Sequence, residues 1–298
     1  MDKCMDVAIF YEYDKNIKKI DVELLIKWCQ QQRHFPNVTE LQVILVLRSC
    51  YYRIESAKNC IENYFTIRTL CPDFFSSYDI SNNSLLKQQM DVNFLSFLPG
   101  ESKDGDDIVL TKLVDTNPEV YNPQVGAKLF DMAMMLHTYT KPPSNGTVLI
   151  IDMKGSVFMH ITKINLSEFK KFLIYLQTAM PIRLKQIHFI NVVPFMDKLL
   201  SILKPFINKE MFEKIIIHSN NDNLYKYISK DSMPAEYGGK AESIQILADR
   251  TKKTFVDNLD FYEYLENQLV DENKRIGSRK NVDNLFGSEG TFKKLEVD

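Results

Sequence analysis

The chain has 298 residues, 45% of them hydrophobic and 26% charged, with a formal net charge of −2. Such a composition supports an ordinary packed core and excludes a disordered chain. It also excludes a global basic field of the kind that attracts nucleic acid, so any charge that matters is local.

The opening residues Met-Asp-Lys-Cys-Met-Asp carry no basic stretch followed by an apolar one, so no secretory signal is expected. Asp2 is incompatible with N-myristoylation, and the ending Leu-Glu-Val-Asp is no prenylation box. No apolar run approaches the roughly 18 residues of a membrane span. The expectation is a cytoplasmic protein that is transiently membrane-associated.

The front of the chain reads as helical. Leu24, Leu25, Trp28 and Cys29 share one helical face. Thr39 is placed to cap a helix through Cys50, and Ile54 to Leu70 continues with apolar residues at helical spacing up to Pro72. Asn82 to Phe97 reads as a further helix ending at Pro99-Gly100. The five cysteines, Cys4, Cys29, Cys50, Cys60 and Cys71, all lie in this region. None has C-x-x-C spacing, and reduced thiols packed among helices are expected.

Beyond the turn at Lys103 to Asp107 the texture alternates. Ile108 to Val114, Thr147 to Ile151, Lys185 to Asn191 and Ile215 to His218 read as strands. Helices are predicted at Pro123 to Thr140, Asn165 to Ala179, Pro194 to Ile207 and Asn223 to Ile228, with Pro123 suited to a first turn. The pattern is that of an α/β domain with a mainly parallel sheet. Glu242 to Leu269 is predicted as a returning helix, followed by a polar, mobile tail beyond Asp271. The expected division is an N-terminal helical region over residues 1–98, an α/β domain over 99–240, and a C-terminal helix and tail over 241–298.

The chain lacks the parts of the common enzyme motifs. No G-x-G-x-x-G follows a strand, and Pro234 stands where a phosphate loop ending at Gly239-Lys240 needs its first glycine. There is no G-x-S-x-G elbow and no H-E-x-x-H. Among the histidines, His188 and His218 fall on or at the end of strands. They read either as polar anchors or bases for a ligand, or as hydrogen-bonded structural groups. No enzyme activity, metal or cofactor is expected.

Three stretches together resemble the CRAL-TRIO family: AKNCIENYFTIRTLCP at Ala57 to Pro72, NGTVLIIDMKGSVFMH at Asn145 to His160, and the ordered set PIRLKQIHFIN, LKPFI, KIIIHSNN and MPAEYGG between Pro181 and Gly239. The resemblance covers about residues 20 to 265. It implies a helical bundle on an α/β domain that binds a lipophilic molecule between the sheet and a mobile gate helix. Composition alone makes Pro194 to Ile207 an amphipathic, core-facing helix. The resemblance makes it the gate, with Pro205 as a hinge.

Matching positions then imply a pocket lined by Ile151, Phe158, Ile164, Phe172, Tyr175, Leu176, Met180, Ile182, Leu184, Ile187, Leu199, Leu203 and Phe206. Met132, Met134 and Met135 on the preceding helix would add adaptable wall. Some members also recognise phosphoinositide head groups, which points here to Lys58, Arg183, Lys185, Lys209 and Lys214. From Arg183 to Lys230 there are eight basic residues against four acidic ones, a local surplus suited to an anionic membrane surface. The expected function is a monomeric carrier of one hydrophobic small molecule, such as a retinoid, carotenoid or tocopherol. The alternative is a phosphoinositide-binding adaptor or regulatory module with the same fold.

Overall fold

The computed structural model describes residues 4–287. Six helices come first: α1 (Val7–Tyr13), α2 (Lys19–Gln31), α3 (Glu40–Ser49), α4 (Ile54–Leu70), α5 (Pro72–Phe75) and α6 (Ser84–Val92). Local signals start α3 and α4 where the sequence predicts, whereas α1 and α5 have no counterpart among the predicted helices. The Thr39 hydroxyl and the Gln42 side chain cap α3 reciprocally, and Pro72 opens α5 directly after α4 stops.

The sheet has five strands in sequential order: β1 (Asn93–Glu101), β2 (Asp107–Leu113), β3 (Thr147–Asp152), β4 (Leu184–Ile190) and β5 (Ile215–Ile217). β1 runs antiparallel to β2, and the other neighbours are parallel. The crossovers carry α7 (Pro123–Thr140), then α8 (Phe158–Thr162) and α9 (Leu166–Thr178), then α10 (Met196–Leu203) and α11 (Lys209–Glu213). Asn122 caps α7 by accepting from the amides of Gln124 and Val125. α12 (Ile244–Val256), α13 (Leu259–Glu266) and the short α14 (Val282–Phe286) complete the chain.

Several predicted elements change. Asn82 to Phe97 is not one helix but α6 followed by β1. Phe94 and Leu98 face one apolar cluster and Leu95 and Phe97 the other, so the strand is apolar on both sides and its periodicity does not separate it from a buried helix. The predicted helix from Pro194 to Ile207 is shorter and ends in a 3-10 turn over Lys204–Phe206 that contains Pro205. Asn223 to Ile228 is a 3-10 turn at Asn221–Lys226, and the returning helix is broken between α12 and α13.

The tail is also not loose over its described part. Phe286 is buried, Lys170 donates to its carbonyl, and Arg275 meets Glu62 at 2.5 Å. Burial pushes the Glu62 carboxyl up, but Lys280, Arg275 and His34 outweigh it and hold the group at about 2. The rest of the predicted tail lies outside the described residues.

The pleat sorts side chains onto two faces. Ile108, Leu110, Val148, Ile150 and Ile190 pack under α12 with Leu224, Ile228 and Met233. Val109, Leu149 and Leu95 face α7, α9 and the N-terminal helices. A buried ion pair ties that second side together. Arg68 of α4 meets Asp131 of α7 at 2.9 Å, and neither is accessible to water. The phenols of Tyr175 and Tyr78 donate to Asp131 at 2.7 and 3.0 Å, while Arg68 donates to both phenol oxygens. Burial pushes both phenols well above their ordinary range, so they stay protonated.

His188 lies on the α12 side of the sheet, which settles its reading as structural. Its Nδ1 sits 2.8 Å from Nε2 of His218, its Nε2 sits 3.1 Å from Gln186 Oε1, and Tyr227 packs against its ring. Burial, and then the His218 charge, hold the His188 imidazole down at about 4.

Two outcomes follow. Asp131→Asn leaves Arg68 buried without its counter-charge and is expected to cost about 3–5 kcal/mol, read as a lower urea midpoint. An Arg68→Met, Asp131→Leu double variant is expected to recover much of that loss. For His188, the unfolded chain takes up a proton near pH 6.5 that the native chain refuses until about pH 4. This contribution to stability is therefore complete above pH 6.5 and is lost as pH falls through that window, by up to about 3 kcal/mol. Urea titrations at pH 7 and 4.5 are expected to show a smaller drop for His188→Phe than for the parent.

Candidate functional site

Between the sheet and the helices α7, α9 and α10 lies a cavity of about 320 Å³. Leu95, Leu149, Ile151 and Phe189 form its strand wall. Phe130 comes from α7, Phe169, Phe172 and Leu176 from α9, and Leu199 and Leu203 from α10. Phe169, Phe172 and Leu176 are spaced at i, i+3 and i+7, one stripe of α9. The strand residues alternate, because only every second one points to this face.

One end of the cavity is polar, with Asn93, Lys112, Tyr121, Asp152, Ser156 and His160 in its lining. Asp152 ends β3 and is almost wholly buried. It accepts from the Tyr237 hydroxyl at 2.5 Å, from Asn191 Nδ2 at 2.8 Å and from the Lys154 amide at 2.9 Å, with Lys112 Nζ at 3.9 Å. Burial pushes the Tyr237 phenol up, and the hydrogen bond to Asp152 adds to this. Burial also raises the Tyr121 phenol to about 12, so it is neutral.

The sequence motifs meet at this corner. Gly155 turns the chain after Asp152 with φ +83°, and a Cβ there would lie 2.4 Å from Thr116 Cγ2. Gly239 passes so close to the Met233 carbonyl that a Cβ would sit 1.8 Å from its oxygen. Asp152, Asn191 and Tyr237 thus form one scaffold from segments up to 85 residues apart.

Of the thirteen expected pocket residues, Ile151, Ile164, Phe172, Leu176, Leu199 and Leu203 line the cavity. The structure places the others elsewhere. Tyr175 precedes Leu176 by one residue, which turns it about 100° around α9 into the Arg68–Asp131 cluster. Met180 and Ile182 precede β4 and Leu184 opens it, pairing with Thr147, and all three line a different concavity. Phe189, further along, is the residue beside Ile151. Ile187 packs between two apolar clusters without lining the cavity, and Phe206 sits in the 3-10 turn, its carbonyl accepting from Gln177. Phe158 is exposed on α8, edge-on to Phe195. Met132, Met134 and Met135 are on α7 but are buried in the core instead of lining the cavity.

Sequence reading missed Leu95, Phe130, Phe169, Phe189, Tyr121 and His160. The helical stripe from Phe172 back to Phe169 and the strand alternation from Ile187 to Phe189 are the signals that point to two of them. Val157, Phe158 and Met159 form an exposed apolar patch beside α10, at 45%, 39% and 52% exposure.

A second concavity of about 370 Å³ is polar. Arg53, Arg183 and Lys214 contribute cations to it, with Asn59, Asn208 and Glu210. Arg183 donates to the Arg48 carbonyl at 2.6 Å, and its guanidinium stacks over Tyr51 and Tyr52. Lys214 pairs with Glu210 at 3.0 Å. The other expected basic residues stand outside this groove. Lys58 pairs with Glu55, Lys209 with Glu213, and Lys185 lies over Tyr51. Arg53 reaches the groove from the α3–α4 turn, a placement that depends on tertiary packing.

Among the described residues no helix is long and apolar enough to cross a membrane. None of their His, Cys, Asp and Glu side chains gather as a group of three or more able to hold a metal.

Comparison with known proteins agrees with this architecture. The CRAL/TRIO domain pattern matches residues 92–239, and that of a Pinta-like UBA domain matches residues 14–85. Clavesin-1 of Xenopus laevis is 26% identical over 208 residues, 69% of this chain and 62% of the relative. The alpha-tocopherol transfer protein-like protein of Homo sapiens is 24% identical over 217 residues, 70% of this chain and 62% of the relative. The matched region therefore spans less than two thirds of either relative's length. The crystal structure of Sfh5 superposes with a TM-score of 0.51 at 15% identity, covering 80% of this chain and 89% of that one, and shares the fold. The helical front, the mixed sheet, the convergent Asp152 corner and these matches together show that the chain belongs to the CRAL-TRIO family of lipid-binding and lipid-transfer proteins.

Proposed function

We propose that the protein is a cytoplasmic carrier that encloses one hydrophobic molecule of isoprenoid type, such as a retinoid, carotenoid or tocopherol, and performs no covalent chemistry on it. The apolar cavity of about 320 Å³ carries this reading. A ligand burying about 400 Å² of apolar surface there gains on the order of 10 kcal/mol before the losses of ordering are subtracted.

Exchange is proposed to occur at a membrane through movement of α10. That helix buries only Met196 and Leu199 fully, and it ends at the Pro205 turn. Swung outward, it would join Leu199 and Leu203 to the exposed patch of Val157, Phe158 and Met159, a surface suited to the headgroup boundary. The groove with Arg53, Arg183 and Lys214 supports a second reading, in which a phosphoinositide head group docks the protein as an adaptor or regulatory module.

Native mass spectrometry of the purified chain, with organic extraction, is expected to find one lipid per monomer. Leu176→Trp fills the cavity from the α9 wall and is expected to lower occupancy about tenfold. An empty chain that also refuses retinoids, tocopherols and carotenoids on titration would move the adaptor reading to first place. In the groove, Arg53→Gln and Lys214→Gln are each expected to weaken binding to phosphoinositide-containing vesicles about fivefold, from roughly 1 kcal/mol per charge. Cosedimentation with vesicles measures this.

A further inference from the structure

We infer that Cys50 and Cys60 form a redox pair, which a peroxide converts into a reversible disulfide in the wall of the polar groove. Cys50 caps the end of α3, and Cys60 stands on α4. The turn between these helices is tight. Tyr51 and Tyr52 both take positive φ, 51° and 62°, and the Tyr52 amide donates to the Leu47 carbonyl at 2.9 Å. The chain folds straight back, and both cysteines line the concavity that holds Arg53, Asn59 and Lys214. Both are free, and their thiols interact directly. The single S–H of Cys60 has two acceptors, the Ala179 carbonyl at 3.3 Å and the Cys50 sulfur. The Ser49 hydroxyl lies 3.9 Å from Cys50 Sγ and completes the cluster.

The two sulfurs are not equivalent. The hydrogen bond received from Cys60 lowers the Cys50 thiol below its ordinary value against the effect of burial, and Ser49 and Arg53 add to the lowering. The same hydrogen bond, and then burial, hold the Cys60 thiol well above its ordinary value. Cys50 is also partly exposed whereas Cys60 is buried. Attack on a peroxide needs a thiolate that solvent can reach, so Cys50 is the nucleophile. Burial raises Cys29 and Cys71 to about 12 and raises Cys4 as well, so these three stay protonated at neutral pH. The Cys50 thiolate attacks one peroxide oxygen, the O–O bond breaks, and the other oxygen leaves as hydroxide, which takes up the proton that Cys50 released. The Cys60 sulfur then displaces the hydroxyl of the Cys50 sulfenic acid, and the Cys60 proton leaves with it as water. Two thiols lose two electrons to one peroxide, which becomes two waters. The new bond fastens the end of α3 to α4 across the turn that carries Arg53.

The test starts from the reduced full chain, treated with hydrogen peroxide at neutral pH and digested without reductant. Mass mapping is expected to find one link, between Cys50 and Cys60, with the loss of two hydrogens, and dithiothreitol is expected to reverse it. Cys60→Ala is expected to stop the reaction at a Cys50 sulfenic acid, which dimedone captures. Cys50→Ala is expected to slow peroxide consumption by about tenfold and to leave Cys60 a thiol. The map of the unaltered chain decides the matter even where a variant fails to fold. A link to Cys4, Cys29 or Cys71, a link between two chains, or a Cys50 sulfinic acid beside a reduced Cys60 would overturn the pair. Survival of all five thiols under peroxide would do the same.

Discussion

The Arg68–Asp131 ion pair has no access to water, and the wall of the cavity depends on how it is satisfied. A buried carboxylate that receives a guanidinium and two phenols has few alternative arrangements. Asp131 is on α7 and its partners come from α4, from the segment after α5 and from α9, so these elements hold one relative placement. Because Tyr175 is committed to that cluster, Phe172 and Leu176 on the adjoining stripe of α9 are left facing the sheet. The N-terminal helices are thereby part of the cavity's support, although they contribute little of its lining.

The opposite end of the space is set by Asp152. In an α/β sheet the carboxyl ends of parallel strands are where ligands meet the chain, and the polar corner lies there. Here the strand end is closed by Tyr237 and Asn191, which hold Asp152 instead of leaving it to a substrate. The corner therefore reads as a buttress.

Between these two fixed ends, α10 contributes the least anchored wall. It fully buries two side chains and is followed by the 3-10 turn at Pro205. The basic groove lies on the far side of the same crossover, between the α3–α4 turn and α11. The basic groove takes no lining residue from α10.

The sequence by itself determined the order of elements, the caps at Thr39 and Asn122, and the α/β class, because these depend on local periodicity and on hydrogen bonds within a few residues. It also carried the motif glycines Gly155 and Gly239, whose backbone demands are local. What it left open required knowing which faces meet. β1 is apolar on both sides, so its period resembled that of a buried helix. Six pocket residues were legible from the family pattern and from the stripe on α9, whereas Tyr175, Met180 and Leu184 look equally apolar in sequence yet fall on other faces or at the other end of the strand. The roles of Arg68, Asp131 and Tyr237 were decided only by tertiary structure, since each depends on a partner that no nearby residue determines.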